Sequence, residues 1–231
     1  MNTRVTAVVG HYGSGKTEFS VSLAMHLAAN GRRGYPRMAL ADLDIANPYF
    51  RSRERRELLE GAGVAVYADG YRSGITAELP ALDAAIRAPL EDPGCLTIVD
   101  AGGNDAGALV LNQFSAYFPK GDTSVLCVVN ANRPETSTQE GAAEHMAAIE
   151  RVTGLKINGI VNNCHLLRET TAETVRKGRR FCLELSKACG VPLAYTCYPE
   201  SLVDPESIGE HSEPLMAMGL YMRLSWLDIN L

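Results

Sequence analysis

Apolar, β-branched runs alternate with helical patterns along most of the chain. Residues 5–9, 38–41, 64–67, 96–99, 125–129, 157–161 and 193–197 have the length and make-up of buried strands. Between the first two runs, Phe19, Leu23 and Leu27 recur every four residues with Ala24 and Ala28 beside them, one helical stripe ending near Asn30-Gly31. The pattern predicts further helices over 51–60, 78–87, 135–152 and 171–188. Strands that alternate with helices predict an α/β fold: a doubly wound, mostly parallel sheet of about seven strands with helices on both faces. Loop signals are densest at 31–36 and 70–74, both short, and no internal repeat or low-complexity tract divides the chain. One domain spanning 1–231 is expected, with 213–231 as a C-terminal helical segment. That tail is apolar at Leu215, Met218, Leu220, Met222, Leu224, Trp226, Leu227 and Leu231, with Arg223 its only cation. Such a face suits core packing or a subunit interface, since a membrane-surface helix carries Lys and Arg on its polar side.

Composition narrows the function. At 231 residues and 46% hydrophobic, the chain can bury one large core. Its 27 acids outnumber 22 bases, net −5, a field that repels nucleic-acid backbones; nucleic acid is not an expected partner. No apolar run approaches the roughly 18 residues that span a bilayer, and the N-terminus runs into a glycine loop rather than a cleavage site. The expectation is a soluble, cytoplasmic protein without membrane insertion. Cys95, Cys127, Cys164, Cys182, Cys189 and Cys197 form no Cys-x-x-Cys pair and read as reduced, packed thiols, and Cys164-His165 has no partners at metal-ligand spacing.

Gly10-His11-Tyr12-Gly13-Ser14-Gly15-Lys16-Thr17 satisfies G-x-x-x-x-G-K-[ST] between an apolar strand and an amphipathic helix. Glycines let successive N–H groups turn inward around phosphate oxygens, and the following helix presents its positive end. Lys16 would reach the β and γ phosphates, the Thr17 hydroxyl would ligate Mg2+, and the run 10–18, including Glu18, would line the nucleotide. Two acidic strand ends follow, Asp42-Leu43-Asp44 and Asp100 after Leu96 to Val99, where a carboxylate beside the loop holds magnesium. Gly102 and Gly103 suit a segment that approaches the γ-phosphate by its backbone.

With these three signals in this order, the chain resembles the MinD/ParA/nitrogenase iron-protein group of P-loop ATPases, in the SIMIBI class, over roughly residues 4–200. The resemblance implies an ATPase with ATP and Mg2+ as cofactors, acting as a homodimer that switches shape for an unidentified protein partner. It implies that Asp44 orients the attacking water, that Lys16 is catalytic with it, and that Thr17, Asp44 and Asp100 hold the metal. Asp42, Asn47, Arg51 and Arg53 would belong to a first switch over 42–54, and Gly102 and Gly103 to a second. The motifs GHYGSGKTE and DLDIANPYFRSRE are similar to those of a group of bacterial and archaeal ATP-binding proteins. One departure matters. The resembling group carries a second lysine near the start of the loop, where this chain has His11 and Tyr12, so activation by a lysine from a partner subunit is not carried over.

Base choice is read more weakly. No N-K-x-D or T-K-x-D signature for guanine is present, whereas Asn162 or Asn163 after the 157–161 strand, and Pro199 in Tyr198-Pro199-Glu200, match the adenine-side positions of the ATPase group. Arg51, Arg53, Arg55 and Arg56, interleaved with Glu54 and Glu57, form either a solvated helix face or a reporter of nucleotide state. Residues 130–136 form the next strand-to-helix crossing, which loop and N-cap chemistry explains. Two other readings remain open: a phosphotransferase or ligase related to dethiobiotin synthetase, and a nucleotide-sensing module without turnover.

Overall fold

The computed structural model describes residues 3–44, 52–68, 86–103 and 105–222. Eight parallel strands form one sheet: β1 (Val5–Gly10), β2 (Arg37–Leu43), β3 (Ala65–Ala68), β4 (Cys95–Ala101), β5 (Thr123–Val129), β6 (Gly159–Asn162), β7 (Leu193–Pro199) and β8 (Leu215–Met218). Their spatial order is β3-β2-β4-β1-β5-β6-β7-β8. The long helices are α1 (Lys16–Ala29), α2 (Arg56–Gly61), α3 (Asp105–Phe114), α4 (Gln139–Thr153) and α5 (Ala172–Cys189).

Both faces of the sheet are covered, so the central strands are apolar in every register rather than alternating with polar positions. Successive residues nevertheless go to different cores. Val8, Leu40, Ile98 and Leu126 pack under α1 with Phe19, Leu23 and Leu27, while Val9, Ala41, Val99 and Cys127 pack under α3, α4 and α5 with Leu111, Met146, Ile149 and Leu185. The Phe19-Leu23-Leu27 stripe is therefore the seam between α1 and the sheet. α4 and α5 begin at Thr138 and Thr171, whose hydroxyls accept from the N–H groups of Gly141 and Thr174, and both end on glycines in the left-handed conformation.

The strand expectations match at all seven runs, with ends shifted by one to two residues. Three differences have physical reasons. The tail pattern predicts a helical segment over 213–231, but Leu215–Met218 forms an eighth strand; residues 223–231 lie outside the described residues. Met216 and Met218 are buried and their neighbours half-buried, a period of two, and the open edge of β7 supplies the ladder: Thr196 donates to the Pro214 carbonyl at 3.1 Å and Glu200 to that of Met218 at 3.3 Å. Helix α3 has no counterpart in the predicted elements. Its Gly107 weakens a helix of only ten residues, and its stability comes from Leu111 and Phe114, three residues apart and buried against the sheet. Of the helix predicted over 78–87, residues 78–85 lie outside the described residues, as does the 70–74 loop; the described helical turn runs 86–91.

β8 is tied down by charge as well as by its ladder. The carboxylate of Glu213 accepts from both Nε and Nη2 of Arg179 on α5, the latter at 3.1 Å, and from the Thr196 hydroxyl at 2.7 Å. Glu213 is buried and Arg179 mostly so, and a partly desolvated fork pair costs more to break than a surface pair contributes. Glu213→Ala should therefore destabilise the fold by about 3 kcal/mol in urea unfolding. A loss within a few tenths of a kcal/mol would show that the pair is an ordinary surface contact.

Candidate functional site

The carboxyl ends of β1, β2, β4 and β5 meet at one edge of the sheet. From β1 the chain moves outward to β2 and β3, returns in β4 beside β1, and then continues from β5 on the other flank. A crevice opens at such a reversal, and β1 lies at its floor. The turn from β1 into α1 has φ of 141°, 73° and 87° at Gly10, Gly13 and Gly15, conformations that side chains other than glycine rarely adopt. Ser14 N–H bonds the His11 carbonyl at 3.1 Å, and Gly15, the N-cap of α1, has no side chain to cap the helix. The first N–H groups of α1 thus face the loop with the positive end of the helix behind them. The buried Ser14 hydroxyl has no hydrogen-bond partner among the described residues. That hydroxyl and the first N–H groups of α1, gathered at one loop, fit a ligand with several anionic oxygens.

The charges lie on the β4 side. Asp42 and Asp100 face each other in register on β2 and β4, and Asp44 follows with its N–H on the Asp42 carboxylate at 3.1 Å. Lys16 is buried, its Nζ donating to the His11 carbonyl at 3.1 Å. Burial lowers the Lys16 pKa, against the raising influence of Asp100 and Asp44. Burial, reinforced by Asp42 and Asp44, pushes Asp100 up to about 8, with Lys16 and the Thr17 hydroxyl pulling the other way. One Asp100 oxygen accepts from Ser20 Oγ at 3.2 Å, while the other, fully buried, has no hydrogen-bond partner among the described residues. That oxygen, with Thr17 and Asp44, fits a hard divalent cation such as Mg2+. Among the described residues no three His, Cys, Asp or Glu side chains form a complete metal cage, which suits an ion that takes its other ligands from phosphate and water.

The remaining predicted residues separate into those brought to this edge and those directed elsewhere. Gly102 and Gly103 are at the edge: a β-carbon on Gly102 would lie 3.2 Å from Asp44 Oδ1, and one on Gly103 would lie 2.8 Å from Tyr12 N. Tyr12 stands at the lip, 62% exposed. The His11 ring turns back into its own chain, with Nδ1 2.8 Å from the Tyr12 carbonyl and the ring edge-on to His145 at 5.2 Å. Glu18 faces away from the loop. Its carboxylate accepts from the N–H groups of Tyr221 and Met222, both at 2.8 Å, and from Ser22 Oγ at 3.2 Å, clasping the chain after β8 to α1. Asn163 braces the loop, its Nδ2 donating to the Ser14 carbonyl at 2.8 Å. Asn162 is fully buried, bonded to the Val175 carbonyl and the Cys164 N–H of its own scaffold. Pro199 ends β7, its carbonyl accepting from Leu202 and Val203. Asn47, Arg51 and the Arg53 side chain lie outside the described residues.

Two residues beside the loop were given no ligand role by the sequence reading, which put Arg133 in a crossing explained by loop and N-cap chemistry and His165 in a Cys-His pair without metal partners. Arg133 Nε donates to the Gly13 carbonyl at 2.9 Å. His165 Nε2 would lie 3.5 Å from a β-carbon on Gly15; burial, helped by Arg133, lowers its pKa to about 4, so the ring is neutral at pH 7. Their only sequence signal is that each follows a strand, β5 or β6, whose end lies on this side of β1.

No family model matches the chain, and no curated protein matches it by sequence. Solved structures do. The cell division protein FtsY of Thermotoga maritima superposes with a TM-score of 0.59 at 20% identity, over 89% of this chain and 68% of that one. The signal recognition particle 54 kDa protein of Aeropyrum pernix, in complex with GDP, gives 0.55 at 24% identity over 84% of this chain, and FtsY of Mycoplasma mycoides 0.55 at 16% over 82%. This chain spans only 41% and 58% of the latter two. What this chain shares with these proteins is the fold, a doubly wound, parallel α/β sheet, as the alternation of strands and helices led one to expect.

Because the folded pKa of Asp100 lies above its unfolded value, its protonated form favours folding, and ligand-free stability falls as pH rises from about 4 through about 8. Asp100→Asn, which removes the charge and keeps the shape, should raise the melting temperature of the ligand-free protein by about 5 °C at pH 7.5 and much less at pH 4.5. Equal shifts at both pH values would contradict this account of the buried acid.

Proposed function

We propose that the protein is a magnesium-dependent ATPase of the MinD/ParA-like kind, which binds and hydrolyses ATP to switch shape for a protein partner. The observation that carries the reading is the meeting of Asp44, Lys16 and Gly102 at one edge. The acid at the end of β2 touches the start of the segment after β4, beside the buried ammonium. A kinase sets its carboxylate against an acceptor hydroxyl. Here the carboxylate stands instead between two segments that can both sense a γ-phosphate.

Each residue then has a task. The loop amides, the Ser14 hydroxyl and Lys16 hold the β and γ phosphates and take up charge as the bond to the leaving oxygen lengthens. Thr17 and Asp100 would hold magnesium, whose charge would offset that of the phosphates and of the Asp100 carboxylate. Asp44 aligns a water in line with the γ-phosphorus. Gly103, packed against Tyr12 and Lys16, is placed to sense the γ-phosphate through its backbone, and the exposed Tyr12 at the lip suits contact with a second protein surface, including a second copy of this chain. For the base, ATP is favoured because the segment 162–167, Asn-Asn-Cys-His-Leu-Leu, has no carboxylate to accept from guanine's two donors, and neutral His165 offers one donor and one acceptor. The Aeropyrum neighbour carries GDP, so guanine is the competing base to test.

Single-turnover assays with labelled ATP and magnesium should release inorganic phosphate, and excess unlabelled ATP should compete far better than GTP. Lys16→Ala should lower turnover by at least about a hundredfold. Asp44→Ala should still bind ATP and hydrolyse it about a hundredfold more slowly. Hydrolysis at the native rate in that variant would remove Asp44 from its role, and transfer of phosphate to a small acceptor without phosphate release would favour a kinase. Sedimentation with a slowly hydrolysed ATP analogue and with ADP should show dimers only with the former.

A further inference from the structure

Lys16 and the three acids occupy the β4 flank of the phosphate loop, and a second cation reaches the loop from the β5 flank. Arg133 follows β5 in a crossing whose backbone is tightly held. Asn130, buried, accepts the Asn132 N–H on its side chain at 3.0 Å, and its carbonyl accepts the Arg133 N–H at 3.1 Å and the Thr136 hydroxyl at 2.9 Å. Pro134 then opens a short 3-10 turn. The Arg133 backbone is thereby fixed by its neighbours before its side chain reaches the loop.

That side chain lies flat on Gly13. Its Nε donates to the Gly13 carbonyl at 2.9 Å, and a β-carbon on Gly13 would lie 3.2 Å from Cζ, 3.3 Å from Nε and 3.4 Å from Nη2. Glycine at position 13 thus provides both the left-handed turn and the room for a guanidinium. The two terminal nitrogens, four N–H donors in one plane, meet no acceptor among the described residues. Glu135, the nearest acid in the loop, is turned toward His11 Nδ1 at 3.9 Å instead. On the other side stands His165, which the arginine helps keep neutral, so the neighbouring imidazole adds no competing charge. A guanidinium fixed by its Nε and unmatched at its forked end suits bidentate binding of phosphate oxygens.

We propose that Arg133 is a phosphate-binding residue that gives the loop, from within the same chain, the second fixed positive charge that His11 does not supply. It rests on the reading that the loop holds a nucleoside triphosphate. Lys16 and Arg133 then grip the polyphosphate from opposite flanks of β1, and neither cation has to be delivered by a partner subunit.

The rival account makes Arg133 a brace for the Gly13 carbonyl, and the two differ in how they depend on phosphate number. Affinities for ATP, ADP and AMP should be measured by calorimetry for the native protein, Arg133→Ala, Arg133→Lys and Lys16→Ala. Arg133→Ala should weaken ATP by about tenfold to a hundredfold, ADP by less and AMP by less than about twofold, with a shallower salt dependence for ATP. Arg133→Lys, which keeps the charge without the fork, should recover part of the ATP affinity. Equal losses for all three nucleotides, or no loss, would overturn the proposal. If Arg133→Ala lowers the melting temperature of the ligand-free protein, Arg133→Gln, which can still donate to Gly13 without a charge, takes its place and must show the same graded loss. Lys16→Ala separates the two readings. If it abolishes ATP binding while the Arg133 variants bind normally, only this proposal falls, and if it too binds ATP normally, the nucleotide reading fails.

Discussion

The structure turns on one unfavourable arrangement, a lysine ammonium and three carboxylates withheld from water at the ends of three adjacent strands. Lys16, Asp42, Asp44 and Asp100 are all buried, and acid outnumbers base. Apolar packing on both faces of the sheet makes this tolerable, because the strands that carry these groups have their positions set by Leu, Val and Ile pairs lower in the sheet. Protonation of Asp100 in the ligand-free state relieves part of the cost, and a divalent cation would relieve it differently, by replacing the proton. The site is therefore built to be incomplete, and its unmatched groups are arranged for a ligand of opposite charge.

The anionic side of such a ligand meets equally deliberate chemistry. The loop offers unmatched N–H and hydroxyl donors, and it is held by contacts from two other strand ends, Asn163 on Ser14 and Arg133 on Gly13. These contacts fix the Ser14 and Gly13 carbonyls from outside the loop. Preorganisation of this sort lets the backbone stabilise charge without reorganising when the charge arrives.

Glu18 links this edge to the far end of the chain. It directly follows Thr17, yet its carboxylate holds the backbone after β8, with Ser22 adding a contact to the Gly219 N–H at 3.3 Å. Burial raises its pKa and the two N–H donors lower it, so the clasp is between a largely desolvated acid and backbone groups that would otherwise lack partners. The first turn of α1 thus carries both Thr17, proposed as a cation ligand, and the carboxylate that anchors the segment after β8.

Much of this was legible in the chain itself. Seven of eight strands, four of the five long helices in whole or part, the phosphate loop and both acidic strand ends follow from periodicity and motif, because those depend on residues near one another in sequence. β8 did not, since four residues of alternating burial acquire a strand's meaning only beside the open edge of β7. Nor did α3, whose local propensity is weak and whose stability comes from packing on the sheet. The asparagines show the same division: the residue types at 162 and 163 were plain, but only the fold directs one to Val175 and the other to the loop. Sequence alone determined that a phosphate loop and its acids exist. Tertiary structure decided which other residues serve them, because parallel crossovers bring Arg133 and Asn163 to the loop from more than a hundred positions away, and no local pattern records that approach.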